Sequence, residues 1–170
     1  MSDRTHNLIF YCLAALFGII LIYWIDNARD EAMRILLYPH AWITEVLYSI
    51  SLVYIGGMGY TSADGLFTIG RQCMGSKFVM ALFGMNACMF AGYFKGLKKA
   101  AWFITSLIGA VFLGILVSII RIIVSVPLVA HPKFALYHAS IGIFLYFFAL
   151  IASYGFLKKL VGGDSNEENI

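Results

Sequence analysis

The 170-residue chain is 61% hydrophobic and only 12% charged, with a mean hydropathy of +0.85. A water-soluble domain with a polar surface is excluded, and the chain belongs in a bilayer. Its net charge of +3 is small, and its cations stand in short clusters beside apolar runs, which reads as a set of topology signals and excludes a nucleic-acid partner.

The first apolar run, residues 8–25, follows Arg4 and lacks a small-x-small cleavage site, so it reads as a retained membrane anchor. Residues 30–57 are apolar enough to suggest a further crossing, but they carry Arg34, His40 and Glu45 and are interrupted by Pro39. Arg34, Tyr38, Ala41, Glu45 and Ser49 recur at helical spacing, and the segment is expected to form an interfacial or re-entrant pair of short helices. Residues 56–65, "GGMGYTSADG", then read as a loop with several positions free to take positive φ. Residues 74–94, 100–126 and 134–156 are each long enough to span about 30 Å of hydrocarbon at about 1.5 Å per residue. The expected fold is an all-α integral membrane protein, with about four transmembrane helices plus an outer interfacial or re-entrant segment. One membrane domain covers residues 1–160, and residues 161–170 form an acidic cytoplasmic tail.

Lys95, Lys98 and Lys99 follow the second span, Lys158 and Lys159 follow the fourth, and Arg4 precedes the first. By the positive-inside rule all three groups are cytoplasmic, which demands an even number of crossings. Counted from those lysines, Cys73 lies 22 residues before Lys95, Arg121 lies 22 after Lys99 and His138 lies 20 before Lys158. At helical rise each distance is about 30 to 33 Å, so a thiol, a guanidinium and an imidazole reach the outer membrane edge from three spans.

Each residue alone has a plainer reading. Cys73 can be a small core residue, Arg121 can snorkel to headgroups, and His138 competes with His40 and His131. Cys73 differs from Cys12 and Cys88 in standing at an expected helix start with Arg71 and Lys77 close in sequence, where a thiolate is favoured. The three cysteines show no CxxC spacing, so neither a disulfide framework nor a zinc site is implied, and no cofactor is expected. As a set, Cys73, His138 and Arg121 suit acyl transfer: the imidazole activates the thiol, and the guanidinium steadies the oxyanion.

At these residues the sequence resembles the exosortase/archaeosortase family of membrane cysteine transpeptidases. The matching motifs are Cys73 in "CMGSKF", Arg121 in "SIIR" and His138 in "HASIG". The short length and the "GGMGY" loop look most like the compact exosortase K members. The resemblance runs from about residue 54 to 156 and extends to the anchor and interfacial segment upstream. The chain departs from the family pattern at Ser118, where Asn is common three residues before the arginine, at Met74, where Ser or Ala is common, and at Lys77, where Asn is frequent. The resemblance implies a multi-pass enzyme of a prokaryotic cell membrane with an extracytoplasmic site. Its partners would be membrane lipid, substrate proteins bearing a C-terminal motif, a transmembrane helix and a basic cluster, and an unidentified acceptor. Cleavage would pass through a thioacyl-enzyme at Cys73. Gly109, Gly114 and Gly142 can admit a substrate helix or pack the protein's own helices. A non-catalytic membrane scaffold is the main alternative, and it leaves the common depth of Cys73, Arg121 and His138 as coincidence.

Overall fold

The computed structural model describes residues 3–163. Most of the expected acidic tail, residues 164–170, lies outside them. The described residues form five α-helices: α1 Asp3–Asp26, α2 Asp30–Tyr48, α3 Ser76–Phe90, α4 Leu97–Ser125 and α5 Phe134–Gly163. Four apolar helical segments are long enough to cross a membrane: Thr5–Asp26, Arg71–Tyr93, Leu97–Leu128 and Phe134–Val161. The expected spans are therefore observed, and the chain has a multi-pass architecture.

The second and third spans are central. Phe78, Val79, Leu82, Phe83 and Ala87 of α3 are buried against Ala110 and Val117 of α4. Gly114 permits this approach, because a Cβ there would collide with Val79 Cγ2. Gly142 is likewise filled by the protein itself, with Arg121 Cδ 3.0 Å from where its Cβ would be, whereas Gly109 faces open space. Helices α1 and α5 flank the pair and expose large apolar side chains such as Leu13, Ile20, Phe144 and Phe147, as lipid-facing helices do. Phe17 of α1 packs edge-on to Phe83 and Phe103, and Tyr146 of α5 stacks on Phe78 with ring centroids 4.4 Å apart. At one end of the bundle Lys99 donates to Asn7 Oδ1. At the other, the Arg71 guanidinium donates to the carbonyls of Asp26 and Ala28. The start of α1 thus shares an end with the α3–α4 turn, and the end of α1 shares the other with the segment bearing Cys73.

The segment between α1 and α3 differs from expectation. A single 19-residue helix with Pro39 inside it replaces the pair of short helices. Asp30 and Glu31 occupy its first turn, where they complement the helix dipole, and Ser49 ends it in the left-handed conformation at φ 52°. Its buried face is Met33, Leu37, His40, Ala41 and Thr44, so packing on this face offsets the backbone hydrogen bond lost at Pro39. The expected loop at 56–65 is also partly ordered. Strands β1 Leu52–Ile55, β2 Gly59–Ser62 and β3 Thr68–Ile69 form an antiparallel sheet in that order, with Leu52 opposite Ser62 and Tyr60 opposite Ile69. Gly57, Gly59 and Gly65 do take positive φ, as the sequence suggests. Met33, Leu37 and Ala41 of α2 pack with Leu52, Tyr60 and Ile69 of the sheet and with Ile122 of α4, forming a second buried cluster that includes Cys73.

Candidate functional site

Cys73 lies in a short 3₁₀ turn, Arg71–Met74, immediately before α3. Its amide donates to the Gly70 carbonyl over 2.8 Å. The turn is separated from α3 by Gly75, which has φ +65°. Glycine is required here twice over: the backbone is left-handed, and a Cβ would lie 2.5 Å from Ser118 Oγ and 2.8 Å from Tyr146 Oη. Ser118 is fully buried and donates to the Met74 carbonyl over 3.2 Å. The Cys-x-Gly pattern is thus a tight turn pinned from α4. The second span is therefore not one continuous α-helix: the 15 residues of α3 are flanked by 3₁₀ turns at Arg71–Met74 and Ala91–Tyr93.

His138 sits in the first turns of α5, half-buried, with Nδ1 2.9 Å from Ser125 Oγ. The Ser125 hydroxyl donates to the Arg121 carbonyl over 2.7 Å. A serine hydroxyl has one proton, and here it points back along α4, so Ser125 Oγ accepts from His138 Nδ1–H. That arrangement leaves the lone pair of the neutral ring on Nε2, the nitrogen a general base needs.

Cys73 and His138 line one cavity of about 350 Å³, whose other walls include Phe67, Ile69, Ile122 and Val126. No hydrogen bond joins the thiol to the ring among the described residues; they share a cavity wall. Arg121 is only 8% exposed and lies beside this cavity. Its Nη2 donates to the Gln72 carbonyl over 3.1 Å, and its guanidinium carbon is 5.3 Å from the centre of the Tyr146 ring. It lines a neighbouring cavity of about 680 Å³, and Gln72 borders both. The three residues selected from the sequence therefore converge at one end of the bundle, with two facing one cavity and the third holding the residue before the cysteine. Arg71 and Lys77, expected to favour a thiolate, line the Arg121 cavity instead.

The other histidines are placed differently. His131 is exposed in the α4–α5 turn, where its Nδ1 accepts from the Lys133 amide. His40 is not beside a loop, as its neighbouring proline suggests, but inside α2 and 1% exposed. Neither of its ring nitrogens has a hydrogen-bond partner. Burial pushes its pKa down to about 4, and the nearby Arg121 charge acts in the same direction.

Sequence reasoning passed over Ser125 and Tyr146. Ser125 had a usable signal: it is four residues after Arg121 on one helix and therefore on the same face. Tyr146 had none short of the packing of α5 on α3. Comparison of the chain with protein-family models, curated proteins and solved structures found no match.

Proposed function

We propose that this chain is a membrane cysteine peptidase or transpeptidase that cleaves C-terminal sorting signals of envelope proteins at the outer membrane face. The observation that carries the reading is the shared cavity of Cys73 and His138, with His138 held by Ser125 so that Nε2 is free. The thiol proton passes to His138 Nε2 as sulfur adds to the scissile carbonyl, giving a tetrahedral oxyanion. Collapse breaks the C–N bond, and the imidazolium returns its proton to the leaving amine. A thioester on Cys73 remains. An acceptor amine or water then attacks, giving its proton to Nε2, and the thiolate leaves. Arg121 fixes the Gln72 carbonyl, and hence the turn carrying Cys73, and its charge acts on the developing oxyanion from behind that turn.

The test is C-terminal mass spectrometry of envelope proteins from cells carrying the native protein or Cys73→Ser. Serine keeps the side-chain size in a packed turn while removing the thiol. The expected result is a set of trimmed C-termini that require Cys73 and persist in Cys12→Ser and Cys88→Ser cells. Identical C-termini in native and Cys73→Ser cells, at equal protein levels, overturn the reading in favour of a scaffold.

A further inference from the structure

The larger cavity, about 680 Å³, is not used by the chemistry proposed above. It lies between the end of α1, the start of α3, Arg121 of α4 and Tyr146 of α5. Arg71, Lys77 and Arg121 border it against a single carboxylate, Asp26, so its lining carries a net charge of +2. Two donors on residues of its lining are buried and unpartnered: Arg121 Nε and Tyr146 Oη. Arg121 is more than nine-tenths buried, and a buried guanidinium N–H without an acceptor is costly unless a ligand supplies one. The 15-residue helix α3 begins on the same wall. Its first hydrogen bond runs from the Val79 amide to Gly75, which leaves the amides of Ser76, Lys77 and Phe78 free at the positive end of the helix dipole.

The depth of the cavity indicates the source of the anion. Asp26 closes the first span and Arg71 opens the second, so the opening lies where apolar spans end and headgroups begin. We propose that this cavity binds the phosphate of an anionic phospholipid headgroup, accepted by Arg121 Nε–H, Tyr146 O–H, Lys77 and the first amides of α3. The net charge disfavours a headgroup that carries its own cation. The phosphate leaves Arg121 Nη2 on the Gln72 carbonyl, so bound lipid steadies the Cys73 turn from its far side. The inference does not depend on the catalytic reading, and its test needs no substrate.

The test is lipid retention on delipidated protein in detergent, followed by native mass spectrometry after adding phosphatidylglycerol, phosphatidylcholine or inorganic phosphate at matched ionic strength. Phosphatidylglycerol is expected to bind well above phosphatidylcholine. Lys77→Gln should weaken it by about fivefold, the effect of removing one interfacial cation. Tyr146→Phe keeps the stacked ring on Phe78 and should weaken binding about tenfold through loss of one charge-assisted hydrogen bond. Lys133→Gln, in the α4–α5 turn, should bind as the native protein does. Equal retention of the two lipids, or native retention in both the Lys77 and Tyr146 variants, overturns the site. Inorganic phosphate binding that matches phosphatidylglycerol and is lost in the same variants overturns the headgroup assignment in favour of a free phosphate site.

Discussion

Cys73 is 7% exposed and belongs to the buried cluster of Met33, Leu37, Ile69 and Ile122. A junction between a loop and a helix suggests an accessible residue; here the sheet and α2 cover it, and access is through the cavity shared with His138. Two substitutions separate chemistry from architecture at this scale. Arg121→Lys keeps the charge but not the planar fork, so it cannot hold the Gln72 carbonyl and pack over the Tyr146 ring in one fixed geometry. Processing should fall by about 10- to 100-fold, the scale of one hydrogen bond from a charged group, at normal membrane abundance, measured as substrate conversion per enzyme; full activity would reduce Arg121 to a packing cation. Ser125→Ala removes the acceptor that holds His138 Nδ1–H and should lower processing about tenfold, the scale of one hydrogen bond. Ser125→Thr retains the hydroxyl and should restore most of the rate. If Ala and Thr are equally impaired, volume at position 125 matters and the hydrogen bond to His138 does not.

Among the elements, the four spans were legible because an uninterrupted apolar run of that length has few alternatives. The region between the first two spans was not. Helix α2 looks discontinuous because Pro39 and polar residues fall inside it, and only the tertiary fit of Met33, Leu37, His40, Ala41 and Thr44 shows why the helix continues. The glycines of "GGMGY" gave the turn correctly but concealed strands of four residues or fewer. The buried His40 makes α2 acid-sensitive. Its pKa is about 4 when folded against an ordinary 6.5, so the unfolded chain binds a proton that the folded chain refuses. Stability should be constant above pH 6.5 and decline as pH falls toward 4, by up to about 3 kcal/mol from this group. Unfolding in detergent across that range is the measurement, with His40→Gln as comparison. The variant should lose most of the slope; an unchanged slope would place the acid sensitivity elsewhere.

At the scale of the whole molecule, residues from three spans meet because the bundle closes on itself: the Cys73 turn is pinned to α4 by Ser118 and Arg121, and α5 joins through His138 and Ser125. Order and spacing along the sequence placed these residues at one end of the bundle, where they are found. They could not show that Arg121 faces a different cavity from Cys73, because side-chain direction around a kinked turn is not encoded in depth. The proposed function needs the cavity-bearing end on the outer face, the orientation expected if Lys98 and Lys158, at the opposite end, are cytoplasmic. Single cysteines at four positions test this in a Cys12→Ser, Cys73→Ser, Cys88→Ser background. Met58→Cys in the β1–β2 turn and Lys133→Cys beside α5 mark one end; Lys98→Cys and Lys158→Cys mark the other. All four native side chains are exposed, so failure to react reflects the membrane and not burial. A membrane-impermeant maleimide on intact cells should label the first two, and the second two should label only after permeabilisation. The reverse pattern would place Cys73 and His138 on the cytoplasmic side and remove envelope proteins as substrates. Labelling of one residue from each pair would break the four-crossing topology itself, because positions 58, 98, 133 and 158 stand in turn at opposite ends of the second, third and fourth spans.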